Sequence, residues 1–209
     1  MLQSILQRYL ARATHSALTS RRLWKLAGAG AALAVGATTA GAAIVATVPD
    51  VVQMVSNDVT LDQTESDVQI IAFNERGNGL NCFALTKDVH TDQGMIPKST
   101  LVKSHFIHGD PVTTLLLEGR VRFDTPIIGV ISTSALLDAS DGQLGRPGTT
   151  YPPAGSEPNR GLEAGQADNY QVVGGGFVIA VRMEVPLDSF SDQIRVVTAC
   201  DQPGGGQPD

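Results

Sequence analysis

Leu117-Glu118-Gly119-Arg120-Val121-Arg122-Phe123 alternates apolar and charged side chains almost residue by residue. In an extended chain successive side chains point to opposite faces. Leu117, Val121 and Phe123 therefore share one side and Glu118, Arg120 and Arg122 the other, the pattern of a half-buried strand. The same period recurs downstream: Phe177, Ile179, Val181 and Met183 lie opposite Arg182 and Glu184, and Ile194, Val196 and Thr198 lie opposite Gln193, Arg195 and Val197. Working outward, β-rich runs are expected over residues 68–73, 101–107, 113–123, 127–132, 170–173, 177–185 and 193–198. Turn residues separate them: Asn78-Gly79, Gly109-Asp110-Pro111, and Gly174-Gly175-Gly176, which joins two alternating runs as a hairpin does. The one helix expected after the N-terminal region is a turn or two over 134–139. Parallel sheets need long helical crossovers, and none is visible. The expected fold is all-β, an antiparallel, jelly-roll-like β-sandwich preceded by an N-terminal signal or hydrophobic helix.

That N-terminal part is set apart by charge. All 21 acidic residues lie from Asp50 onward, whereas five of the 15 basic ones (Arg8, Arg12, Arg21, Arg22, Lys25) precede it. Ten basic against 21 acidic residues leave −11 on the rest, a charge that repels a phosphate backbone, so nucleic acid is not an expected partner. Residues 26–48 carry no charge and follow Arg21, Arg22 and Lys25, a basic region feeding an apolar one. Ala, Gly and Thr dominate the run, so its transfer into hydrocarbon is weakly favourable, and a cleaved signal is preferred to a membrane anchor. Small residues at Ala40, Ala42 and Ala46 suit a signal peptidase, and the mature start is expected between Ala43 and Pro49. Ser20-Arg21-Arg22-Leu23-Trp24-Lys25 resembles a twin-arginine signal, although ordinary signals also carry paired arginines. The expected division is an export signal or anchor over 1–48, an exported β-sandwich over 49–200 and a flexible tail over 201–209. The expected location is secreted, periplasmic or cell-surface, with membrane contact only through an uncleaved N-terminal segment.

Cys82 and Cys200 are the only cysteines, and both fall in the exported part, where oxidation is available. A bond between them would stabilise by about 4.7 kcal/mol in chain-entropy bookkeeping. Two buried thiols are the alternative. Neither cysteine has a second cysteine or a histidine at zinc-site spacing.

Several side chains are candidates for chemistry. Asp138, Ser140 and Asp141, with Glu163, are oxygen donors of the kind calcium prefers, and Asp138-x-Ser140-Asp141-Gly142 reads as a tight turn. The alternative is plain turn capping, with Asp141 serving backbone donors near Gly142. Residues 139–168, rich in Gly, Pro, Asp and Glu, form a loop of a size that is usually functional or disordered, so a ligand is expected there if anywhere. His105 and His108 stand three apart, which on a strand sends them to opposite faces, away from a shared metal. His108 beside Asp110 could orient an imidazole as a general base, yet no Gly-x-Ser-x-Gly elbow supplies a nucleophile. Glu75 with Glu163 could form a glycosidase pair. The only tryptophan, Trp24, lies in the leader, so the sandwich lacks indole platforms for sugar rings and keeps Tyr151 and Tyr170 with its phenylalanines. Calcium is the one cofactor these residues suggest.

One longer pattern adds to this. It comprises Leu61-Asp62-Gln63-Thr64-Glu65-Ser66-Asp67, Phe73-Asn74-Glu75-Arg76, Ser104-His105-Phe106-Ile107-His108-Gly109-Asp110-Pro111 and Phe123-Asp124-Thr125-Pro126, then Leu137-Asp138-Ala139-Ser140-Asp141, Pro147-Gly148-Thr149-Thr150-Tyr151-Pro152, Arg160-Gly161-Leu162-Glu163 and Asp192-Gln193-Ile194-Arg195. The string resembles a group of uncharacterised secreted bacterial β-rich domains, many of which carry a C-terminal PEP-CTERM sorting tail. The likeness runs from about Val59 to Thr198. It implies export and a β-rich fold and brings no known activity. The tail's Pro-Glu-Pro motif, apolar helix and basic end do not occur in this sequence, so sorting by that route is not expected. The leading expectation is a non-catalytic structural or interaction module facing an unidentified envelope or matrix component. The alternatives are a polysaccharide hydrolase and a calcium-dependent ligand-binding module.

Overall fold

The computed structural model describes residues 44–61, 63, 66, 68–77, 81–111, 115–162, 168–185 and 191–200. The leader up to position 43, Glu163 and the tail 201–209 lie outside the described residues. The chain is mostly β, with one α-helix among the described residues. One sheet, A, has the order β1-β8-β11-β10, from β1 (Ile44–Pro49), β8 (Leu115–Phe123), β11 (Val178–Val185) and β10 (Asn169–Val173), all antiparallel. The second, B, has the order β2-β3-β7-β12-β9, from β2 (Val51–Gln53), β3 (Ile70–Arg76), β7 (Leu101–Gly109), β12 (Asp192–Ala199) and β9 (Ile127–Ile131); β4 (Phe83–Ala84) also pairs with β7. A separate hairpin joins β5 (Val89–Thr91) to β6 (Gly94–Ile96), and α1 (Ser134–Leu144) is the helix.

Burial explains the layering. Leu117, Val121 and Phe123 of β8 and Ile179, Val181 and Met183 of β11 are buried against Ile70 and Ala72 of β3, Ile107 of β7, and Ile194 and Val196 of β12. This is the apolar interior between the two sheets that the period-two pattern requires. Gly119 allows the close approach there, because a Cβ on it would fall 2.2 Å from a methyl of Val51. Sheet B is also covered on its other face, where Ile71, Phe73, Phe106 and Val197 pack with Val89, Ile96, Leu137 and Leu144 beneath α1 and the β5–β6 hairpin. The result is three layers, with sheet B in the middle.

Four features differ from the sequence expectation. The sandwich takes in Ile44–Pro49, most of which falls in the apolar run assigned to the leader: Ile44 pairs with Phe123 and is 1 % exposed. Sheet B is mixed, because three-residue β2 runs parallel to β3, and no helix lies among the described residues between them. The helix runs eleven residues to Leu144, so Asp138–Gly142 is helical and not a tight turn. Its buried face carries Ser140 and Gln143 between Leu137 and Leu144, which dilutes the apolar period that announces a helix. Finally, the face of β12 bearing Gln193, Arg195 and Val197 is buried throughout, not turned to solvent.

Cys82 and Cys200 are disulfide-bonded, with Cα atoms 6.0 Å apart. The link ties the segment before β4 to the end of β12.

Candidate functional site

The polar centre of the molecule lies between sheet B and α1 and is assembled from distant stretches. Arg195, on β12, is completely buried and needs compensation. Its Nε and Nη2 each donate to Glu75 at 2.7 Å in a two-pronged pair, and Nη2 also donates to Asp141 Oδ1 at 2.9 Å. Nη1 donates to Ser140 Oγ at 2.5 Å. The rings of Phe106 and Tyr151 flank the guanidinium at 5.2 and 5.4 Å, within cation–π range. Burial pulls the Arg195 guanidinium toward neutrality, but the charge and hydrogen bonds of Glu75, then Asp141, outweigh it and raise its pKa above the ordinary arginine value.

Glu75 is reached through a backbone irregularity. The β3–β7 register shifts between Asn74 and Arg76, a β-bulge that turns Glu75 and the following Arg76 both toward the helix layer. Arg76 Nη1 donates to the Gln143 carbonyl of α1 at 2.8 Å. The Glu75 carboxylate also accepts from Tyr151 Oη at 2.7 Å and Ser104 Oγ at 2.5 Å, so both its oxygens are saturated. The Tyr151 hydroxyl is held protonated, its pKa raised by burial and then by the Glu75 charge.

A second buried guanidinium closes the network. Arg160 donates from Nη1 to Asp138 at 2.9 Å and to Asp141 Oδ2 at 2.7 Å, and from Nε to Gln193 Oε1 at 2.9 Å. Gln193 passes the chain on to the Val59 carbonyl at 2.8 Å. Arg160 enters because the next residue is glycine: a Cβ on Gly161 would fall 2.3 Å from the Ser132 carbonyl, the same carbonyl that Leu162 N–H bonds at 2.7 Å. Residues 145–162 of the predicted loop thus form a strap pinned to α1. Tyr151 and Arg160 from that strap were not singled out as partners by sequence reasoning. Their signal was present only as short polar words without period.

Asp138, Ser140 and Asp141 of the calcium candidate lie on α1 around two guanidiniums, and its fourth member, Glu163, lies outside the described residues. Both Asp141 oxygens and Asp138 Oδ1 are taken by arginine, and Asp138 Oδ2 accepts from Gly155 N–H at 2.8 Å. Among the described residues no group of three or more His, Cys, Asp or Glu side chains could hold a metal ion.

No family model, curated protein or solved structure was found to match the chain. Its chemistry must be read from its own side chains.

His105 and His108 take opposite faces of sheet B, as the odd offset requires. His105 packs against the Phe123 ring in the inter-sheet core, centroids 4.7 Å apart and planes tilted by 40°, and bonds Asn74 and Thr198 at 2.8 and 3.1 Å. His108 lies on the Phe106 side, 6.5 Å between ring centres, with Nε2 3.9 Å from the Asp110 carboxylate and, among the described residues, no hydrogen bond to either ring nitrogen. Burial, then the charges of Lys103 for His105 and of Arg160 for His108, lowers both from 6.5 to about 3. The unfolded chain therefore binds protons that the folded chain refuses between these values, so stability falls as pH drops below 6.5 and the loss is complete near 3. Urea unfolding at pH 7.5 and 4.5 is expected to give a lower midpoint at the acid value, and His108→Leu is expected to shrink that difference. Equal midpoints would contradict the neutral, buried state of both rings.

The outer face of sheet A is the contrasting surface. A groove of about 590 Å³ crosses it, lined by Arg120, Arg182, Asn169, Gln171 and Ala180 among others. Arg182 Nε faces Glu118 at 3.4 Å, and both side chains are substantially exposed.

Proposed function

We propose that the chain is an exported, non-catalytic interaction module of the cell envelope or extracellular matrix. One observation carries this reading: Glu75, Tyr151, Asp138 and Asp141, which a hydrolase would turn toward substrate, are bonded to one another and to two buried arginines, a structural use. The basic-then-apolar leader and the disulfide support export. The kinship with secreted PEP-CTERM-associated domains is part of the proposal, supported by the words that carry that resemblance: they contain Glu75, Ser104, Asp138, Ser140, Asp141, Tyr151, Arg160, Gln193 and Arg195, the members of the network. The jelly-roll comparison rests on the frequent passage of the chain between sheets, as from β7 to β8 and β11 to β12; the in-sheet neighbours β10 and β11 depart from it.

Fractionation of the producing cell, with alkylation before and after reduction, tests the reading. The protein is expected outside the cytoplasm with both cysteines blocked and with no release of sugars from a polysaccharide panel. Reduced protein in the cytosol, or released sugars, would overturn it. A calcium site would have to displace Arg160 and Arg195 from Asp138 and Asp141, so millimolar calcium is expected to leave the melting temperature unchanged. A rise of several degrees would restore the calcium module.

A further inference from the structure

We infer that the outer face of sheet A binds a carboxylated polysaccharide, with uronate carboxylates seated on Arg120, Arg122 and Arg182. This rests on the interaction-module reading and names the ligand class.

The register sets the geometry. Arg120 on β8 pairs with Ala180 on β11, which pairs with Gln171 on β10, so a small residue floors the groove between two long donors. With neighbouring strands about 4.8 Å apart, Arg120 and Gln171 stand roughly 10 Å apart at the backbone. Arg122 lies two residues further along β8, roughly 7 Å away, and Arg182 lies in the next row, between Glu118 and Asn169. Three guanidiniums thus spread over one face, with the carboxylates of Glu118 and Glu184 beside them.

Charge makes this placement informative. Only ten basic residues follow Pro49. Arg160, Arg195 and Lys103 are buried, so three of the remaining seven crowd onto one sheet face of an acidic domain. Among the described residues Arg120 and Arg122 have no ion pair. Arg182 Nε is buried without a hydrogen bond and has only the 3.4 Å approach to Glu118.

The donor set selects the occupant. The backbone groups of β8 and β11 are committed to ladders on both sides, so the centre of the face offers side-chain donors alone, whereas a peptide strand would seek a free edge. Nucleic acid, with a charge every 1.7 Å or so, meets the repulsion of the −11 domain more strongly than a glycan that carries one carboxylate per ring. An acidic glycan brings paired carboxylate oxygens that match guanidinium forks, and ring hydroxyls for the Gln171 amide. Recognition by charge and hydrogen bonds also suits a groove that has no aromatic side chain among its described lining residues.

Calorimetry with the purified protein tests this, using oligogalacturonate, its neutral methyl ester and oligoglutamate, each recovered afterwards and sized. Oligogalacturonate is expected to bind, the ester roughly tenfold or more weakly, and Arg120→Gln or Arg122→Gln to weaken binding by about tenfold each, while Arg146→Gln leaves it unchanged. No binding by protein with an intact melting transition, equal binding of the ester, equal binding of oligoglutamate, or indifference to both Arg120→Gln and Arg122→Gln would each overturn the ligand assignment and leave the module reading standing. Shortened oligogalacturonate would instead overturn the non-catalytic reading beneath it.

Discussion

Replacing Arg195 by methionine is expected to destabilise the fold by about 3–5 kcal/mol, a large share of the total for a domain of this size. The side chain is fully buried and is the counter-ion of Glu75, itself 3 % exposed. Its removal leaves the Glu75 carboxylate among Phe106, Tyr151 and Ser104 with hydroxyl donors but no positive charge. Asp141 keeps Arg160 and is less affected. The loss follows from orphaning a charge, not from the intrinsic worth of the pair, so replacing Glu75 by methionine in the same chain is expected to recover part of it. Urea unfolding of the single and double variants checks both statements. A single variant as stable as the parent would show that the guanidinium reaches water.

Replacing Cys82 and Cys200 together by serine is expected to cost about 4–5 kcal/mol, because the bond spans 118 positions and its loss restores the freedom of most of the sandwich in the unfolded chain. The bonded residues flank β4 and β12, both neighbours of β7, so the folded structure changes little and the effect falls on the unfolded state. Unfolding midpoints of the parent, oxidised and reduced, should bracket this difference. An unchanged midpoint on reduction would place the stability elsewhere.

Legibility followed solvent. Strands β8 and β11 alternate cleanly because sheet A has one wet face, and their inward residues were readable one by one. Strands β7 and β12 are covered on both faces, and there the same alternation misleads: Arg195 and Gln193 read as solvent-facing although they sit under α1. What reverses the reading is Glu75, 120 positions away and presented by a bulge that leaves no mark in the local pattern. Strands β2, β4, β5 and β6 have only two or three residues each, too short to show a period. Strand β1 was hidden because Ile44–Val48 share the apolar composition of the run before them. Asp138, Ser140 and Asp141 read as calcium-type donors, but oxygen donors on one helix face serve a metal and a guanidinium equally well, and Arg160, which binds Asp138 and Asp141, arrives from the far end of the strap.

The central claim, that the convergent polar side chains beneath α1 hold the sandwich together and are not a reactive centre, is tested most directly by urea unfolding of Glu75→Gln. This change keeps size while removing the charge and turning one acceptor oxygen into an NH2 group that faces donors. The account predicts a midpoint lowered by the equivalent of several kcal/mol. A variant that unfolds at the same urea concentration as the parent would contradict it.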